Sequence, residues 1–156
     1  MADAYTDALR LLAGRELSVA RCRARLLDRD HDPADVDLAI ERLLEDGSLN
    51  DARVARAYAR TAVNVKGRGR LRVARELHQM GIARDVATAA LVDVFGELDE
   101  RSLVARAVQK KLRGRAKPST PADFARIYQH LLRQGFSPST ASAEIRRLRR
   151  PTSDDE

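Results

Sequence analysis

The sequence predicts an all-α fold made of three tandem three-helix repeats, helix-turn-helix-like and stacked into an elongated array. Three observations carry this reading. Apolar residues recur at helical spacing through almost the whole chain, and no β-branched run alternates with period two between hairpin turns. The pattern then repeats itself: a shift of 51 residues lays Leu26, Ile40 and Leu43 on Leu77, Leu91 and Val94, and a further 54 lays those on Leu131, Ile145 and Leu148. Asp30, Gly81 and Gly135 coincide under the same shifts, as do Cys22, Val73 and Ile127, and Arg21, Arg72 and Arg126. A unit of about fifty residues with few aromatics buries too little apolar surface to stand well alone. Neighbours should therefore stack along a line and complete the core.

In the first repeat (1–48) helices are expected near 4–13, 18–28 and 33–46. Tyr5, Ala8, Leu9 and Leu12 follow the i, i+3, i+4, i+7 spacing of one helix face, and Gly14 stops them. Ser18 is placed to cap a second stripe of Val19, Cys22 and Leu26. Asp32-Pro33-Ala34-Asp35 is a helix start: an acid at the cap, proline in the first turn, and a second acid near the positive helix end. Val36, Ala39, Ile40, Leu43 and Leu44 continue that helix to Gly47. The second repeat (49–97) has helices near 50–64, 69–80 and 84–95, and the third (98–150) near 98–113, 120–134 and 138–149. Residues 114–121, Gly-Arg-Ala-Lys-Pro-Ser-Thr-Pro, are the one linker signal. Thr120-Pro121-Ala122-Asp123 then restarts a helix whose inner face is Phe124, Ile127, Tyr128, Leu131 and Leu132. Pro151 ends the last helix, and 151–156 reads as a disordered tail.

The chain of 156 residues is 44% hydrophobic and 33% charged, a globular rather than a disordered composition. Its 29 basic and 23 acidic side chains leave a net charge of +6. The charge is not spread evenly. Residues 28–51 hold nine acids against Arg29 and Arg42, whereas residues 66–150 hold 19 basic and 8 acidic groups. Projected at 100° per residue, Arg68, Arg72, Arg75 and Gln79 share one helical stripe, opposite Val73, Ala74 and Leu77. Arg70 projects to the apolar side. Arg106, Lys110 and Arg113 form a second basic stripe; Arg146, Arg147 and Arg150 form a third. Single stripes of this kind are commonly solvated helix faces. Three in one array, beside the basic linker residues Arg115 and Lys117, point to a polyanion or an acidic protein groove as partner. With 4% aromatics and no tryptophan, base stacking is not expected to contribute.

The one cysteine, Cys22, has no internal partner, which fits a reducing, cytoplasmic setting, and its register beside Val73 and Ile127 marks it as a buried apolar thiol. The first 30 residues show no apolar stretch ahead of a cleavage site and no apolar run nears the ~20 residues of a membrane span, so a soluble protein is expected. Lys66-Gly67-Arg68-Gly69-Arg70 has two glycines and no βα context, so it is no dinucleotide fingerprint. His31, His78 and His130 lack the i+4 histidine or paired cysteines of a zinc site. His78 shares its register with Leu27 and Leu132 and is expected to be half-buried. No catalytic residue, cofactor or metal is expected, and the chain reads as a binding protein rather than an enzyme.

Certain blocks are similar to the RecX family of regulatory proteins. Ala8-Leu9-Arg10-Leu11-Leu12, Arg15-Glu16-Leu17-Ser18, Leu26, and Asp32-Pro33 leading to Ile40 and Leu43 resemble that family's first repeat. The second repeat carries its most recognisable block: Leu49-Asn50-Asp51-Ala52-Arg53-Val54-Ala55, Tyr58, Lys66-Gly67, Arg70-Leu71, Glu76-Leu77 and Gly81-Ile82. The resemblance covers roughly residues 4–149. Departures are Asp30 where the family often has Gly, Val54 where Phe is usual, and Arg21-Cys22 where an acid and Leu are common. What the resemblance implies is a non-enzymatic regulator that binds along the RecA filament on single-stranded DNA; a monomer is expected. Such a regulator lowers strand exchange, ATP hydrolysis and co-protease activity in DNA repair, homologous recombination and the SOS response.

Two other readings compete. A helix-turn-helix transcriptional regulator would explain the breaks at Gly81 and Gly135, but the third helices of repeats one and two lack an Arg, Asn or Gln face for a major groove. An adaptor for an acidic protein is the other. The favoured reading expects weak DNA binding with little base preference. It also expects reversal of Arg68, Arg72 and Arg75 to glutamate to spare the core, with reversal of Arg42 as an inert control.

Overall fold

The computed structural model describes residues 2–150, so the tail at 151–156 lies outside the described residues. Among the described residues there are nine helices and no strand: α1 (Ala4–Gly14), α2 (Val19–Asp28), α3 (Pro33–Glu45), α4 (Asp51–Asn64), α5 (Arg70–Gln79), α6 (Arg84–Phe95), α7 (Glu100–Leu112), α8 (Pro121–Gln134) and α9 (Pro138–Arg149). Caps set most of the starts. The side chains of Asp3, Ser18, Asp32, Asn50, Asp99, Thr120 and Ser137 each accept a backbone N–H of the first turn, satisfying donors that a helix leaves orphaned. None of these helices is long and apolar enough to cross a membrane.

The helices pack in threes: α1 to α3, α4 to α6, and α7 to α9. Each triple closes over its own apolar cluster. Leu26, Leu77 and Leu131, the register-equivalent leucines, are fully buried at the centres of the three. This differs from the expectation of a core completed by stacking. Of the residues packed against these clusters, Leu103 alone adjoins two, those of the second and third triples. The inward stripes are wide enough that α3, α6 and α9 roof their own repeats. Leu9 and Leu44, assigned to inward stripes, face outward at 38% and 48% exposure; Leu11 takes the place of Leu9 beside the first cluster.

Between repeats, contact runs through helix ends. The Ser18 hydroxyl, at the N-terminus of α2, donates to the carbonyl of Met80 at the C-terminus of α5 (2.6 Å). One repeat further on, Gly69 N–H donates to the Gln134 carbonyl at the end of α8 (2.7 Å), and Leu71 N–H donates to the Gly135 carbonyl (3.1 Å). Ser18 and Gly69 are equivalent positions, and so are Met80 and Gln134. The second helices of the three repeats therefore join head to tail, α8 to α5 to α2. They have 14, 10 and 10 residues, about 50 Å of helical rise at 1.5 Å per residue. Each joint sets the positive end of one helix against the negative end of the next.

The turn after each second helix is built alike. Asp30, Gly81 and Gly135 take left-handed φ of 64°, 77° and 102°, and the next N–H (His31, Ile82, Phe136) reaches back to Leu26, Leu77 and Leu131 carbonyls. Glycine is required at two of the three by close approach as well as by φ. A Cβ on Gly135 would lie 2.5 Å from Arg72 N, and one on Gly81 would collide with the Ala20 methyl. Asp30 ends the row and is exposed, so an aspartate, a residue that tolerates this conformation, suffices there.

Candidate functional site

The central joint also shapes a groove. Val65, Lys66, Gly67 and Arg68 form the turn between α4 and α5, held by Arg68 N–H to the Ala62 carbonyl (2.9 Å) and by the Gly69 bond to Gln134. Against this turn α7 lays Leu103, Arg106, Ala107 and Lys110, one helical face. Two hollows of about 190 and 310 Å³ share Gly67, Ala107 and Lys110 and run together. Arg68, Arg106, Lys110 and Arg113 line the first; Lys66, Lys110, Lys111, Arg115, His130 and Gln134 line the second. No carboxylate lines either. Of these cations only Arg68 has an acidic partner among the described residues. His130 titrates below the usual imidazole range because it is partly buried and because Lys111 and Arg133 stand near it.

The three stripes read from the sequence thus separate. Arg106, Lys110 and Arg113 lie exposed on the groove with Arg68. Arg68 does not belong to α5; it precedes the helix, is 18% exposed, and pairs with Glu76 (2.5 Å). Arg72 pairs with the same carboxylate (3.0 Å), and Tyr58 of α4 donates its hydroxyl to it. Burial, then Arg68 and Arg75, lower the Arg72 guanidinium from its ordinary value. Arg75 is exposed, and Arg70 is exposed as well. Among the described residues the Arg68–Arg72–Arg75 stripe is therefore a half-buried ion-pair network of Arg68, Arg72 and Glu76, with Arg75 alone unpaired. The Arg72–Glu76 pair is an i,i+4 neighbour legible in the spacing; the return of Arg68, from the turn before α5, to the same carboxylate is not.

The third stripe lies elsewhere. Arg146, Arg147 and Arg150 line a larger hollow, about 750 Å³, between the start of α7 and α9. That hollow also presents Asp99, Glu100 and Glu144, and Arg147 pairs with buried Glu144 at 2.5 Å. Its mixed charge suits a polyanion less well. Lys66, Lys111 and His130 were not among the residues expected at a site. The Lys66-Gly67 turn and the tandem Lys110-Lys111 were the available signals, but which turn faces which helix is a matter of how repeats join.

Elsewhere, Cys22 is fully buried and its thiol is pushed up by desolvation, as an unreactive core residue should be. His78 is exposed rather than half-buried, because its register position faces outward: Leu27 there is 40% exposed too. Arg42 stacks on the Tyr5 ring at 3.9 Å, so it is no inert control. No group of three His, Cys, Asp or Glu among the described residues is placed to hold a metal.

Comparison with known proteins places this architecture. Residues 4–43 match the family model for the RecX first three-helix domain, and residues 50–91 that for the RecX second three-helix domain. The chain is similar to a regulatory protein RecX of Halorhodospira halophila, 38% identical over 136 residues, covering 86% of this chain and 82% of that one. It is also similar to one of Acidithiobacillus ferrooxidans, 34% identical over 138 residues, covering 88% and 85%. Among solved structures, RecX from Lactobacillus salivarius superposes with a TM-score of 0.79 over 93% of this chain and 94% of that one, at 23% identity. That likeness is one of fold.

Proposed function

The chain belongs to the RecX family of regulatory proteins, and from that premise we propose that it regulates the RecA recombinase by lying along the RecA filament on single-stranded DNA. It acts there as a monomeric cytoplasmic binding protein, without catalysis of its own, and restrains the filament's ATP hydrolysis, strand exchange and co-protease activity. The observation that carries the reading is the carboxylate-free groove of Arg68, Arg106, Lys110 and Arg113 at a fixed joint between repeats. Cations gathered from two repeats and set along one groove complement a ligand whose anions also recur along a line. Arg75, Arg146 and Arg150 are exposed but lie off this groove; they are secondary candidates for the contact, and Arg72 and Arg147 are held in ion pairs with Glu76 and Glu144.

Direct DNA binding by itself should be weak, salt-sensitive and indifferent to sequence, since the groove can reach phosphates but is lined by no Phe, Tyr or Trp ring. Co-sedimentation with RecA filaments assembled on single-stranded DNA tests the proposal. The protein should pellet with filaments and stay in the supernatant with RecA alone. A tight, salt-resistant complex with one duplex sequence and no pelleting would instead favour a transcriptional regulator.

A further inference from the structure

We infer that the hollow between the α4–α5 turn, α7 and α8 is a phosphodiester site of single-stranded nucleic acid, and that its occupation draws a proton onto His130. This deepens the reading above and rests on it only in taking nucleic acid as the ligand. The geometry comes first. Lys66, Lys110, Lys111, Arg115, His130 and Gln134 line a cavity of about 310 Å³ that opens into the Arg106 groove. Its two walls belong to different repeats, and the Gly69 to Gln134 and Leu71 to Gly135 hydrogen bonds hold them together at 2.7 and 3.1 Å. The site is thus formed before any ligand arrives, which lowers the cost of ordering it.

Every charged group facing the histidine is a cation. Lys66 comes from the turn, Lys110 and Lys111 from α7, Arg115 from the segment after it, and Arg133 from α8 itself. The carboxylate of the adjoining hollow, Asp123, is engaged in capping the start of α8 through Ser119 and Thr120, about two turns before His130, and does not line this cavity. With only cations around it, a half-buried imidazole stays neutral at neutral pH. An entering phosphodiester reverses the local field and favours the imidazolium, which then donates to a phosphate oxygen. By linkage the same anion binds tighter when His130 is already protonated. A run of anions fits better than a single carboxylate, because the cations continue through Lys110 into the neighbouring hollow.

The test uses the full chain and a labelled hexathymidylate, whose phosphodiesters keep constant charge from pH 6 to 8. Affinity should rise as pH falls through the value His130 has in the complex and level off below its value in the free protein, up to about tenfold for each unit between the two. The imidazole resonances of His130 should report proton uptake on titration at pH 7. His130→Gln should bind with no pH dependence in this range, and Lys111→Gln should weaken binding while retaining it. His78→Gln should behave as the parent. Flat affinity in the parent, or pH dependence surviving in His130→Gln, overturns the proposal. So does a glutamate-rich peptide of equal charge that binds as tightly with the same pH dependence, which would make the cavity a docking site for acidic protein. No recombinase is present, so these outcomes are independent of whether the protein pellets with filaments.

Discussion

Asp7 belongs to none of the stripes that periodicity picks out, yet its side chain is only 12% exposed. Nε2 of His31 lies 2.8 Å from one oxygen, and Arg29 donates to the other, tying α1 to the α2–α3 turn. The His31 hydrogen bond, with Arg29 beside it, holds Asp7 below the usual carboxylate range. A depressed carboxylate adds stability that is complete above its ordinary value near 3.8 and is lost as pH falls through the lower folded value. Acidification below about pH 4 should therefore loosen the first repeat. Asp7→Asn should cost about 1–2 kcal/mol at neutral pH and leave a flatter profile of Tm against pH in that acid range; an unchanged profile would show that the contact contributes nothing. Residue-scale chemistry also revises the charge-reversal experiment. Placing glutamates at 68 and 72 would crowd three carboxylates at a half-buried point, so Arg68→Glu/Arg72→Glu should lose at least about 2 kcal/mol and several degrees of Tm. Arg75→Glu alone should unfold like the parent, because its side chain is exposed and has no such partner among the described residues. Thermal melts of the double and single variants separate these outcomes.

At the scale of elements, the nine helices were legible because apolar spacing agreed with caps or glycines at most ends; α6 and α9 begin and end at the residues expected. The inward register of the second helices was legible too, since Leu26, Leu77 and Leu131 had only one way to be buried. The joints between helices were not. Whether Gly69 is merely a flexible residue before a helix or a point of backbone contact depends on a neighbour 66 positions away, which periodicity does not encode. In the fold, a Cβ on Gly69 would lie 2.6 Å from the Gly135 carbonyl carbon and oxygen. Gly69→Ala should therefore part α5 from α8, with faster amide exchange at Gly69 and Leu71 and a loss of about 1–3 kcal/mol. Gly47→Ala is the informative comparison. Gly47 has φ of 79° but open space around it, so only conformational strain of about 1 kcal/mol should appear. Equal effects at both positions would deny the joint its role. The free N-terminus of α8 carries its own satisfaction, a reciprocal capping box of Thr120 and Asp123, whereas the starts of α2 and α5 bond to the next repeat.

Across the whole molecule, the joints turn three small cores into one scaffold, in which the head-to-tail row of α8, α5 and α2 sets the basic turn before α5 against α7. The separation of an acidic beginning from a basic remainder was visible in the sequence. Its division into a carboxylate-free groove and a mixed-charge hollow was not, because that depends on the α4–α5 turn meeting one face of α7 and on Asp99 and Glu100 meeting α9. If the groove makes the filament contact, Arg106→Glu/Lys110→Glu/Arg113→Glu should remove it without harming the fold, since all three side chains are exposed and unpaired among the described residues. Arg146→Glu/Arg150→Glu should weaken it far less. The most direct measurement is the steady-state ATPase of RecA filaments on circular single-stranded DNA, titrated with the parent protein and with the groove variant. The parent should suppress hydrolysis at substoichiometric or equimolar ratios, and the groove variant, with an unchanged Tm, should not. Equal suppression by both would contradict the assignment of the groove, and no suppression by the parent would contradict the proposed function itself.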